Sequence, residues 1–162
     1  MTIKVLAVCA MAVAIASTPA LAAGKHAGGH DDEMAIGKPG AAADATRTIR
    51  VRMDETDSGM MIFEPSKIEI QKGETIRFEV TNAGELEHEF VMDAPDANEK
   101  HKAVMARFPE MEHADPNAIR LTPGADGEIV WTFTEAGTFE FACLIPGHYE
   151  SGMHGPLVVT TP

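Results

Sequence analysis

The feature that most limits the fold is a series of short segments, from Thr48 onward, in which apolar and polar residues alternate. "TIRVRM", "SKIEI", "TIRFEV", "LEHEFVM", "GEIVWTF", "GTFEFAC" and "GPLVVT" all keep a period near two. That period suits an extended chain with two faces and does not suit a helix. Turn-forming stretches such as "QKGE", "TNAGE", "PGADG" and "TEAG" separate them. Strands of this kind, with no helices alternating between them, predict an all-β domain: an antiparallel Greek-key β-sandwich. One stretch departs from the pattern. In "DAPDANEKHKAVMARFPEMEHADPN", residues 93 to 117, Ala97, His101, Val104, Met105 and Phe108 recur at helical spacing. This predicts one short helix in a long crossover, stopped by Pro109.

The same alternation assigns faces. Leu86, His88, Phe90 and Met92 fall on one side of their strand, and Glu85, Glu87 and Glu89 on the other. Phe139, Phe141 and Cys143 likewise share a side. A histidine and a cysteine are therefore expected to point inward.

Ahead of the strands, "MTIKVLAVCAMAVAIASTPALA" has a basic start, an apolar run and small residues at Ala20 and Ala22. This is the form of an export signal, with cleavage expected after Ala22 and a periplasmic product. No later segment approaches the roughly 20 apolar residues of a membrane span, so no stable membrane insertion is expected. Residues 23 to 46, "AGKHAGGHDDEMAIGKPGAAADAT", lack any apolar period and read as a flexible leader. The organisation expected is therefore 1–22 signal, 23–46 leader and 47–162 a single folded domain, a monomer.

Charge narrows the partners. The whole chain carries 13 basic and 25 acidic residues, a formal charge of −12, and loss of Lys4 with the signal makes it −13. Nucleic acid is excluded as a natural partner. A basic protein surface or a cation suits such a chain better.

Cleavage also removes Cys9, which leaves Cys143 as one cysteine in an exported protein. No intramolecular disulfide is then available. A buried inert thiol, an intermolecular bridge, a nucleophile and a metal ligand all remain open for it. Its neighbours favour the last. "CLIPGHYESGM" sets Cys143, His148 and Met153 in one loop, and Pro146 with Gly147 provides a tight turn between the first two. Together with inward-facing His88 these give a thiolate, two imidazoles and a thioether. That donor set suits copper in both oxidation states, with methionine as a weak axial ligand. A catalytic Cys143–His148 pair would leave His88 and Met153 unexplained.

At this level the sequence resembles the cupredoxins, the plastocyanin and azurin superfamily, over roughly Met60 to Thr161. The resemblance is carried by "FEPSKIEIQKGETIRFEVTNAGELEHEF", by "GEIVWTFTEAGTFEFACLIPGHYESGM" and by "GPLVVT". The C-x4-H-x4-M loop is similar to that of rusticyanin and auracyanin. The long crossover and the His- and Met-bearing leader resemble those of small periplasmic cupredoxins associated with copper tolerance. The resemblance implies one type 1 copper ion bound by His88, Cys143, His148 and Met153, with electrons passing through the edge of His148. Glu89 follows His88 where many members carry Asn or Ser, and Leu144 follows Cys143, so neither position offers the usual hydroxyl or amide.

Two roles fit such a centre: copper handling in tolerance, or dedicated electron transfer between respiratory partners. The partner would be a copper donor or acceptor protein in the first case and a redox protein in the second. A copper enzyme would need further histidine-rich sites and domains, so no enzymatic activity is expected. His26, His30, Met105, Met111 and His113 are candidate secondary donors for additional copper ions, set against ordinary packing for Met105 and solvated loops for the others. Met60 and Met61 read as core and rim packing, and His154 as a surface residue.

Overall fold

The computed structural model describes residues 34–109 and 115–162. The expected export signal, His26, His30, Met111 and His113 lie outside the described residues. Two five-stranded sheets face one another. In spatial order the first holds β1 (Lys38–Pro39), β8 (Asp126–Thr132), β5 (Thr75–Asn82), β2 (Arg47–Glu55) and β3 (Met61–Glu64). The second holds β4 (Ile68–Gln71), β10 (His154–Thr160), β9 (Gly137–Ala142), β6 (His88–Asp93) and β7 (Ala118–Leu121). Among the described residues, the all-β sandwich with one α-helix is as the alternation and the one helically spaced stretch predict.

The pairing is not wholly antiparallel, however. β2 runs parallel to β5, from Arg47 opposite Ile76 to Met53 opposite Asn82, and β10 runs parallel to β4. The excursion through β3 and β4 returns the chain to the end where β2 began, so β5 must run the same way. β1 and β7 were not legible as strands. One has two residues and ends in proline, and the other has four residues without a clear alternation of burial.

Inward side chains from both sheets fill the space between them. Phe63, Phe78, Phe90, Trp131, Phe133 and Phe141 are buried there, and their rings meet largely edge-on or tilted, as in Phe63 against Phe141 at 5.3 Å between centroids. Aromatic pairs prefer such geometry because ring edges and faces carry opposite partial charge.

Part of the stretch expected to be a flexible leader belongs to this core. Ile36 is fully buried, its carbonyl accepts a 3.4 Å hydrogen bond from Trp131 Nε1, and Gly40 N–H donates to the Val130 carbonyl at 2.9 Å. A single isoleucine among glycines and alanines gives no periodic signal, which is why its burial could not be read.

The helix α1 (Pro95–Met105) starts with proline at its first turn, where the missing N–H costs no hydrogen bond. It lies over the outer face of the second sheet. Met105 is buried there with Val91, Ala142 and Leu144 in a small second cluster, so Met105 packs rather than standing free as a metal donor. Val104 and Phe108, which share the helical spacing with Met105, are exposed, Phe108 by 55%. The helix turns inward instead through Asn98 and Met105, and it ends before Phe108.

Candidate metal centre

The centre is built at one end of the sandwich, where strands from both sheets stop. His88 is the first residue of β6, and Cys143 directly follows β9. The chain then turns through Ile145-Pro146-Gly147-His148, closed by a 3.0 Å bond from His148 N–H to the Ile145 carbonyl. Gly147 sits at φ +90°, the left-handed position after proline that this turn type requires. A second tight turn, with Gly152 N–H bonded to the Tyr149 carbonyl at 3.0 Å, delivers Met153 to the head of β10. Met153 N–H donates to the His148 carbonyl (3.1 Å), and Cys143 N–H donates to the Met153 carbonyl (3.0 Å). The loop thus ties three donor-bearing residues together through its own backbone.

The side chains converge. One donor atom each from His88, Cys143 and His148 lies within 4.8 Å of the other two. His88 Nδ1 is 3.2 Å from His148 Nδ1, and Cys143 Sγ is 3.4 Å from His148 Nδ1. His88 and Cys143 are fully buried, Met153 is fully buried in the adjoining core, and His148 retains 9% exposure. Two imidazole nitrogens and a sulfur packed this closely, with no apolar group between them, suit a shared cation better than they suit one another. Among the described residues this is the one cluster of its kind.

Cys143 Sγ accepts a 3.3 Å hydrogen bond from Glu89 N–H. The bond to sulfur therefore comes from backbone and needs no particular side chain after His88. Burial pushes the thiol up to about 12 in the metal-free protein, so a proton must leave when a cation binds. Burial, followed by the neighbouring His88, holds His148 below the ordinary imidazole value and so keeps it available as a neutral donor.

The residue that sequence reasoning missed is Glu55, the last residue of β2 in the opposite sheet. Its Oε1 lies 2.6 Å from His88 Nε2. The carboxylate also accepts from Glu85 N–H (2.8 Å) and Leu86 N–H (3.1 Å). Burial raises its pKa, but the two amides and His88 outweigh that, and the net position is below the usual carboxylate range. No local pattern marks Glu55, since it is 33 residues from its partner. Asn82 holds the same turn from below: its Nδ2 donates to the Leu86 and Leu121 carbonyls, both at 2.8 Å, and its Oδ1 accepts from Gly84 N–H at 3.0 Å. Leu86, expected to point inward with His88, is instead exposed, because β6 begins only at His88. Glu89, on the outer face of β6, is nonetheless buried, in register with Arg120 of β7.

His154 is exposed and stacked on Tyr149, with ring centroids 4.2 Å apart. Met60 is exposed at the rim, while Met61 packs partly against the core.

A two-sheet sandwich with a buried Cys-His-His cluster at one end defines a cupredoxin. The family described as "Copper binding proteins, plastocyanin/azurin family" matches residues 50–160, and the chain belongs to that family, whose cofactor is copper. It is 52% identical to the copper-resistant cuproprotein CopI of Rubrivivax gelatinosus, over 85% of this chain and 79% of that one. It is 36% identical to the copper-resistant cuproprotein CopI of Pseudomonas aeruginosa, over 78% of this chain and 83% of that one. Among solved structures it is similar in fold to the dithionite-reduced auracyanin of Roseiflexus castenholzii, with a TM-score of 0.61 and 24% identity over 72% of this chain and 98% of that one. Among the described residues no helix is long and apolar enough to cross a membrane.

Proposed function

We propose that this chain is an exported copper-handling protein of copper tolerance, with His88, Cys143, His148 and Met153 as ligands of a type 1 copper. The observation that carries the reading is the buried convergence of His88, Cys143 and His148 in a chain 52% identical to a copper-resistant cuproprotein. When bound, copper supplies a one-electron Cu(I)/Cu(II) couple. The chain's own part is to hold two neutral imidazoles and a thiolate in place, exclude water and keep the thioether of Met153 nearby. The cluster sits between strand ends of a sandwich whose aromatic core does not depend on it, so the site is held in shape before metal arrives. The signal-like first 22 residues support a periplasmic location, and a copper donor or acceptor protein is the partner that this role requires.

A second reading, dedicated electron transfer, draws on His148: among the three clustered donors it is the one that reaches the surface. The two readings separate in cells and by titration. For copper handling, loss of the protein makes cells copper-sensitive with normal respiration. The purified chain then binds more than one copper, and deleting residues 23–33, which stops short of buried Ile36, lowers that number without bleaching the centre. One copper per chain, normal tolerance and a respiratory defect would establish the electron carrier instead.

A further inference from the structure

We propose that Glu55 is a positioning residue of the metal centre, whose carboxylate fixes His88 with Nδ1 turned bare toward the site and biases the centre toward the divalent ion. The inference rests on the ligand reading above. Three observations support it. First, the only acceptor a carboxylate oxygen 2.6 Å from Nε2 can be is one for a proton on that nitrogen, so neutral His88 must present an unprotonated Nδ1 toward His148 and Cys143. Second, the carboxylate is itself seated. It takes the amides of Glu85 and Leu86, and a Cβ at position 84 would come within 2.5 Å of Glu55 Oε2, so Gly84 leaves room for it. Third, His88 is fully buried whereas the Glu55 side chain is only 18% exposed, so the charge acts through a short and poorly screened path.

A carboxylate on the far nitrogen makes an imidazole a stronger donor and leaves a negative charge beside the site. Both effects favour Cu(II) more than Cu(I). The Glu55→Gln variant keeps an oxygen that can accept from Nε2 and removes the charge. Its expected effect is a Cu(II) affinity about tenfold weaker, with Cu(I) affinity changed by less than about threefold. A tenfold ratio raises the reduction potential by about 59 mV for this one-electron couple. Asn82→Ala is the structural comparison, because it loosens the same turn without touching His88 or the charge. It is expected to lower the melting temperature and leave the Cu(II)/Cu(I) affinity ratio within twofold of wild type.

Equal loss of both affinities in Glu55→Gln with an unmoved potential, or a ratio shifted as far by Asn82→Ala, would reduce Glu55 to a loop staple and overturn the proposal. The metal-free protein gives an independent readout. Nitrogen-15 spectra of the His88 ring should show the proton on Nε2 in wild type and a mixture of tautomers in Glu55→Ala. A wild-type ring protonated on Nδ1 would overturn the positioning role even if the copper ligands are as assigned. Conversely, a wild type with the expected tautomer but no sulfur-to-copper band would remove the ligand reading and leave the Glu55–His88 contact standing.

Discussion

The two histidines of the centre are held in opposite ways. His88 stands on a strand, fully buried, with a carboxylate from the facing sheet on its outer nitrogen. His148 stands in a turn, near the surface, and among the described residues its ring hydrogen bonds are made by Nδ1, toward His88 and Cys143. One donor is fixed by the sandwich and the other by a loop that closes over it. A site assembled from a rigid half and a closing half can keep its geometry while admitting a metal ion from one side.

The largest expected effect breaks this comparison directly. His148→Gly should lose the visible copper band and regain it when free imidazole is added, because the vacated position is close to solvent. His88→Gly should lose the band and fail to regain it, since nothing can enter a fully buried position backed by Glu55. Equal rescue of both variants, followed by absorption spectroscopy, would show that the two halves do not differ in access.

Next in size is the alkaline stability of the metal-free protein. The Cys143 thiol is pushed up to about 12 by burial, against an ordinary 9.0. A raised folded-state value gives stability that is complete below pH 9 and lost as pH rises toward 12, at about 1.4 kcal/mol per pH unit. Denaturant midpoints between these pH values should fall accordingly, and Cys143→Ser should remove that component of the slope.

A comparable but smaller effect is expected beneath the loop. Leu144 follows Cys143 and packs on Met105 of the helix. Met105→Ala should destabilise the domain by about 2–5 kcal/mol. Chemical denaturation measures that loss, and an unchanged copper spectrum would show that the helix supports the loop without shaping the ligands. The smallest effect belongs to the turn itself. Gly147→Ala places a side chain at φ +90°, where its cost is about 1–2 kcal/mol. A Tm lowered only slightly, with slower copper uptake than in Met105→Ala, would separate loop closure from overall stability.

Much of this was legible in the sequence, for a physical reason. Strand alternation is local, so β2, β4, β5, β6, β8, β9 and β10 and the inward turn of His88 and Cys143 followed from neighbouring residues. The Pro146-Gly147 turn was legible because both residues restrict the backbone in known ways. What depended on distant contacts was not. The parallel pairing of β2 with β5 is set by where the chain returns from the other sheet, and Ile36 is buried by Trp131, 95 residues away. Glu55 looks like any strand-end acid until the fold brings it to His88. The helix misled in detail because its buried strip follows Asn98 and Met105, and a polar residue in that strip hid its register.

The proposed function requires a bond between the Cys143 thiolate and a copper ion shared with His88 and His148. Visible absorption of the copper(II)-loaded protein tests it most directly. The result expected is an intense sulfur-to-copper charge-transfer band that appears on loading, vanishes on reduction and is missing from Cys143→Ser. A copper-loaded wild type without colour, or a Cys143→Ser variant that keeps the band, would contradict it.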